Sequence, residues 1–164
     1  MTDSDWMREA LRLASEAAAE GEVPVGCVIV KGDTPVGRGR NRRETDKNAL
    51  RHAELEAIDE ACRRLGGWRL WECTLYVTLE PCPMCAGAIV NAHIPRVVFG
   101  ASDPKNGCCG SLINLFDLPF NHRPETVRGV LEAECAEQLK AFFANLRLSR
   151  PRRRNWRPEK EREA

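Results

Sequence analysis

Amphipathic stretches at helical spacing alternate with short apolar runs along this chain, and Gly or Pro marks most of the changes between them. Together these features place it among the α/β sandwiches, with helices packed on a sheet. The order reads α-β-β-α-β-α-β-(β)-α, without an internal repeat. Its 164 residues suffice for one domain with a proper core and are too few for two ordinary ones. A composition of 43% hydrophobic and 30% charged residues is that of a soluble globular protein, and no apolar run approaches a membrane span.

Trp6, Ala10, Leu13, Ala14, Ala17 and Ala18 fall near helical spacing, with Arg8, Glu9, Arg12 and Glu16 between them. This predicts an amphipathic helix over residues 5–20, capped by Thr2-x-x-Asp5 and closed by Gly21. Val23 to Lys31 reads as a largely buried strand, Gly32-Asp33 as a turn, and Thr34 to Arg40 as a second strand. Residues 41–51 are polar and aperiodic, as in a loop. His52 to Leu65 resumes helical spacing, with Leu55, Ile58, Cys62 and Leu65 as the expected buried face and Gly66-Gly67 as the stop. Cys73 to Leu79 alternates like a strand, Pro83 to Asn91 is a second short helix broken by Ile94-Pro95, and Val97 to Phe99 is a short buried strand. Gly100 to Pro124 is a long loop, and long loops in compact domains tend to carry function. Glu125 to Leu131 holds a last strand. A last helix from Glu132 to Leu148 follows, with Cys135, Leu139, Phe142, Phe143 and Leu146 on its apolar face, and Pro151 stops the pattern.

The chemistry concentrates between residues 52 and 85. His52-Ala53-Glu54 opens one helix, and Pro81-Cys82-Pro83-Met84-Cys85 opens another. Two cysteines three positions apart in a first helical turn put both sulfurs on one side of its N-terminus. Pro83 suits that turn, since its missing N–H would be unpaired there and its φ is already helical. The positive end of a helix favours thiolate over thiol. His52 adds a third ligand if its own helix start points to the same place. Two thiolates balance the charge of Zn²⁺, and three protein ligands leave one tetrahedral position for water, the arrangement of a catalytic zinc. Such a water is acidic near neutral pH, and Glu54, two residues past the histidine, is placed to take its proton without being a ligand. A lone C-x-x-C also occurs in redox pairs and structural zinc sites, and a lone histidine is more often no ligand. The two motifs together favour catalytic zinc, and the proline after the first cysteine with the nearby H-A-E disfavours a redox pair. His93 lies eight residues beyond Cys85, too far to share that ion, and His93 and His122 read as structural or substrate-facing.

H-x-E followed by P-C-x-x-C is the signature of zinc-dependent nucleobase deaminases. Further stretches carry the likeness: Glu22-Val23-Pro24-Val25-Gly26, Gly39-Arg40-Asn41-Arg42, Leu75 through Cys82, Cys85-Ala86-Gly87-Ala88, Arg96-Val97-Val98-Phe99-Gly100 and Gly110-Ser111-Leu112. From about residue 5 to about residue 147 the chain resembles the bacterial tRNA adenosine deaminase (TadA) family, within the cytidine/deoxycytidylate deaminase superfamily. The resemblance implies a cytidine-deaminase-like three-layer α/β/α sandwich: a five-stranded mixed sheet between helices, with both zinc-bearing helices on one face. It implies one Zn²⁺ per subunit held by His52, Cys82 and Cys85, with Glu54 as catalytic residue, and deamination of adenosine to inosine at the wobble position of a tRNA anticodon. A homodimer is implied by the resemblance alone. Asn41 and Ala53 would hold the target nucleoside, while Asp103, Lys105, Asn121, Phe143 and Arg147 would border the anticodon loop. From the residues themselves, Asn41 is equally a loop amide ending a strand, Ala86-Gly87-Ala88 ordinary helix packing, and Phe143 a core residue. The chain departs from the family at Arg43, where a proline is usual, at Lys47-Asn48-Ala49-Leu50-Arg51, and at Cys108-Cys109.

Two rival readings stand beside this one. A deaminase of a free base or nucleoside, of guanine or cytidine type, would use the same metal site. A zinc-stabilised RNA-binding module without catalysis would leave Glu54 without a task.

The formal net charge of +1 conceals an asymmetry, because eight Arg or Lys against three Glu lie from residue 147 onward. Residues 1–150 read as the deaminase domain and 151–164 as a basic tail, either solvated or suited to phosphate. Acidic and basic residues interrupt the first twenty positions, so no export signal is read and a cytoplasmic location is expected, with no membrane partner. Most of the eight cysteines then read as buried thiols.

Overall fold

The computed structural model describes residues 1–149; the basic segment 151–164 lies outside them. Five strands form one mixed sheet in the order β2-β1-β3-β4-β5: β1 (Gly26–Lys31), β2 (Thr34–Arg40), β3 (Cys73–Leu79), β4 (Arg96–Ala101) and β5 (Glu125–Arg128). β1 is antiparallel to both β2 and β3, and β3, β4 and β5 run parallel. Helices α1 (Asp3–Ala19) and α4 (Glu132–Ser149) cover one face, and α2 (Ala53–Leu65) and α3 (Pro83–Asn91) the other. This is the three-layer sandwich with five strands that the sequence leads one to expect, and both candidate metal-bearing helices lie on the same face.

The alternation of β1 explains how one apolar run serves two cores. Cys27 and Ile29 join Leu75, Val77, Val97 and Phe99 beneath α2 and α3, while Val28 and Val30 join Tyr76 and Val98 beneath α1 and α4. The strand starts at Gly26 rather than at Val23. Pro24 has no N–H to give a ladder, and the Val25 N–H turns back to the Val23 carbonyl at 2.8 Å. Helix α1 starts at Asp3, two residues before the expected point, because Thr2 is the cap itself: its hydroxyl accepts the Asp5 N–H at 3.2 Å and the Asp5 carboxylate accepts the Thr2 N–H at 2.9 Å.

The buried face of α2 is a correction. Leu55, Ile58 and Cys62 are only partly buried and Leu65 is exposed, whereas Ala53, Glu54, Ala57 and Ala61 point inward. The cause lies in β2. A Cβ at Gly37 would collide with the Ala57 carbonyl oxygen, and one at Gly39 with that of Ala53. Backbone approaches backbone here, so the α2 positions against the two glycines are alanines, and Ile58 and Cys62 pack against the core only partly buried.

The apolar face of α4 is likewise only partly realised. Cys135 is buried against the sheet, Leu139, Phe142 and Leu146 are half-buried, and Phe143 is 42% exposed. The long stretch after β4 contains a bridge between Cys109 and Asn114 and a one-turn 3-10 helix at Leu115–Asp117, whose Phe116 returns to the core. The described cysteines are free, and all but Cys62 and Cys82 are buried.

Candidate active site

Two helix starts meet below one end of the sheet. His52 is the N-cap of α2 and Cys82 the N-cap of α3; both have extended backbones, and neither side chain caps its own helix. These side chains are therefore released toward each other. His52 Nδ1 lies 3.6 Å from Cys82 Sγ and 3.5 Å from Cys85 Sγ, and the three ligand atoms lie within 4.8 Å of one another. Zinc bonds of about 2.3 Å to sulfur and 2.0 Å to nitrogen at a tetrahedral angle require about 3.5 Å between the two donors. The residues present fit the metal, and among the described residues no other cluster of this kind occurs.

Electrostatics prepares the same point. The Cys82 thiol is brought down to about 4, first by donation from Cys85, against burial, and then by His52 and the Cys85 backbone N–H. Cys85 is pushed up, first by its bond to Cys82 and then by burial and the nearby Glu54 charge. The bond to Cys82 raises His52 in the same way. Zinc would take both sulfurs as thiolates. Glu54 is 4% exposed, and its Oε2 accepts from Cys85 Sγ at 3.3 Å. Burial, more than any neighbour, raises its pKa and makes it a ready proton carrier.

A cavity of about 580 Å³ opens above this floor. Asn41, His52, Ala53, Glu54, Cys82, Asp103, Lys105 and Phe143 line it, so most of the residues singled out in the sequence converge. Asn41 does end β2, its N–H bonded to the Val25 carbonyl at 3.1 Å, and it also faces the cavity. Phe143 lies on the rim rather than in the core. Arg147 is exposed one helical turn beyond it, outside the lining. Asn121, expected beside the anticodon loop, lies outside the cavity lining, as Arg147 does. It is exposed beside His122, whose Nε2 lies 2.6 Å from the Ile94 carbonyl oxygen and whose ring stacks on His93 at 5.0 Å, beyond the end of α3 opposite the cysteines. Ala86 is buried in the core, so at least that member of Ala86-Gly87-Ala88 packs the helix.

Sequence reasoning missed Val23, Val25, Ser102, Asn106 and Leu139 on the lining, and gave no role to the buried Glu22 and Glu80. The only sign of the two carboxylates was a proline close after each, Pro24 two residues beyond Glu22 and Pro81 directly after Glu80.

A family model described as MafB19-like deaminase matches residues 1–147. Over 146 residues the chain is 53% identical to a tRNA-specific adenosine deaminase of Bacillus subtilis (strain 168), covering 88% of this chain and 91% of that protein. The chain belongs to the tRNA-specific adenosine deaminase family. A solved structure from studies of A-to-I editing by tRNA:A34 deaminases at the wobble position superposes with a TM-score of 0.79 at 41% identity, covering 82% of this chain and 98% of that one. A guanine deaminase of Bacillus subtilis is also similar, with a TM-score of 0.61 at 32% identity, covering 88% of this chain and 95% of that one. Within the tRNA-specific adenosine deaminase family, then, it is the residues of H-x-E and P-C-x-x-C that form the floor just described.

Proposed function

We propose that this chain hydrolyses adenosine to inosine at the wobble position of a tRNA anticodon, with one Zn²⁺ per subunit held by His52, Cys82 and Cys85. The observation that carries the chemistry is the pair of nitrogen–sulfur distances at a tetrahedral zinc spacing, with the Glu54 carboxylate buried alongside. The zinc, when bound, acidifies water at the cavity floor. Glu54 takes the first proton of the attacking water and delivers it to N1 of adenine as C6 becomes tetrahedral. It then takes the remaining hydroxyl proton and gives it to the departing amine, so that ammonia leaves and the C6 carbonyl of inosine remains. Asn41 and Ala53 hold the nucleoside, and Asp103 and Lys105 line the same cavity.

A duplex hides the reacting edge, so the substrate presents its base from a loop into this cavity. Phe143 offers an exposed ring for stacking a flanking base, and Lys105 and Arg147 offer charge to phosphates. Residues 1–150 form the catalytic domain and 151–164 add positive charge for RNA. The homodimer is supported by the exposed apolar side chains of Leu112, Ile113, Leu118 and Phe120, and sedimentation of the purified protein tests it. No described helix is long and apolar enough to cross a membrane, and a cytoplasmic site of action follows from a tRNA substrate.

The deciding experiment offers the purified enzyme an anticodon stem-loop with adenosine at the wobble position, alongside free guanine, adenosine and cytidine. Inosine in the stem-loop is the expected product. Turnover of free guanine with an untouched stem-loop would replace this reading with the free-base one.

A further inference from the structure

Two glutamates that the chemistry does not use are almost completely buried: Glu22 is 1% and Glu80 2% exposed. Among the described residues neither forms an ion pair; each carboxylate is filled by backbone amides instead. Glu22 Oε1 accepts the N–H of Glu44 at 3.1 Å, and Oε2 that of Thr45 at 2.8 Å. Glu80 Oε1 accepts the N–H of Asp103 at 3.1 Å and the hydroxyl of Ser111, and Oε2 accepts the N–H groups of Cys109 at 3.0 Å and Ser111 at 3.1 Å. The two segments they grip are the two lips of the cavity. Asn41 and Arg43 stand on one, and Ser102, Asp103, Lys105 and Asn106 on the other.

We infer that Glu22 and Glu80 are positioning residues for substrate recognition, each fixing one lip of the cavity by presenting a buried carboxylate to its amides. The inference rests on the deamination reading and deepens it. The physical case begins with the cost of a buried charge, which is tolerated only when its oxygens are filled by well-placed donors. Glu44, Thr45, Asp103 and Ser111 stand on polar, mostly exposed stretches, whereas Cys109 is itself buried in the core, so the carboxylates tie exposed stretches of each lip to buried anchors. The 102–111 loop is drawn in so tightly that a Cβ at Gly107 would collide with the Glu80 carboxylate. The Asp103 carboxylate then turns to accept the N–H groups of Lys105 at 3.0 Å and Asn106 at 3.2 Å, which sets the direction of the lip. Neither glutamate is one of the three candidate metal ligands, although Glu80 also lines the cavity, and the lips are expected to loosen while the three ligands keep their places.

Glutamine keeps the shape of glutamate but turns one acceptor into a donor, which faces an amide N–H at either site. Glu80→Gln is expected to raise hydrogen exchange at Asp103, Cys109 and Ser111 without changing it at Glu44 and Thr45, and Glu22→Gln is expected to do the reverse. In each, KM for the anticodon stem-loop rises about ten-fold, the equivalent of one lost charged hydrogen bond. The kcat at saturation and the zinc content stay near wild type. Glu80→Asp keeps the charge and restores part of the KM. Ser111→Ala removes one bond to Glu80 while leaving its charge; it gives a smaller KM rise and serves as the test should Glu80→Gln fail to fold. Unchanged exchange at the lips, or a loss of kcat at constant KM, overturns the inference. Failure of the wild-type enzyme on the stem-loop would instead sink the substrate reading, and the exchange measurements would still decide the positioning role.

Discussion

The two sides of β2 meet their helices by different means. Gly37 and Gly39 admit the backbone of α2 to close contact, while Arg38 and Arg40 on the other side reach Glu9 and Glu16 of α1 and its C-cap Glu20. One face is close-packed with small residues and delivers His52 and Glu54 to a fixed point. The other has its own apolar core, in which Trp6, Met7 and Ala10 of α1 meet Val28, Val30, Tyr76 and Val98, and adds ion pairs among long, partly exposed side chains at its border, including Arg96 to Asp3 at 2.7 Å. Angstrom-level placement comes from the first kind of contact, because neither backbone can give way. The second kind adds modest stability and tolerates movement.

If this division is right, substitutions on the two faces separate chemistry from stability. The largest effect is expected for Cys82→Ser, which removes a thiolate ligand: metal analysis should find little or no zinc, and deamination should stop. A zinc-replete, active Cys82→Ser protein would break the comparison at its base. Glu54→Gln comes next. It keeps its zinc while kcat falls by roughly 10² to 10⁴, the usual weight of a proton carrier. Arg43 on the rim has a 51% exposed side chain and, among the described residues, pairs only with Glu44, at 3.9 Å. Arg43→Ala is expected to raise KM for a stem-loop a few-fold and to reduce its salt dependence by about one charge, with kcat unchanged.

The smallest effect belongs to the far face. The Asp3 carboxyl is held below its ordinary value of 3.8, chiefly by the Arg96 guanidinium and, against the opposing effect of burial, also by the Tyr76 hydroxyl. A depressed carboxylate stabilises the fold fully above the unfolded value and loses that contribution as pH falls through the folded one. Asp3→Asn is therefore expected to cost roughly 1 kcal/mol near neutral pH, or a few degrees in Tm, with the gap to wild type closing below about pH 4. Thermal melts across pH check this. A fall in kcat for this variant would show that the faces are not independent.

What could be read from the sequence follows the same division. The metal floor was legible because its ligands are set by short-range rules: a cysteine pair in one helical turn, a proline at the first position, and a histidine two residues from a carboxylate. The order of elements was legible from periodicity. The inner face of α2 was not, because periodicity gives weight to large apolar side chains, and Leu55 and Leu65 outweigh Ala53, Ala57 and Ala61 unless the glycines of a partner strand are known to face them. The lips were also hidden. Glu22 and Glu80 act on amides 22 to 31 residues away along the chain, and no local pattern announces such a bond.

The alternation of Gly and Arg along β2 limits how this enzyme can be made sturdier. Consensus-style engineering would put valine or threonine at Gly37 and Gly39 to improve strand preference, yet any added carbon there wedges α2 outward and carries the histidine off its bearing. Hardening is better sought at the arginines and their acidic partners, where the reacting groups have no stake.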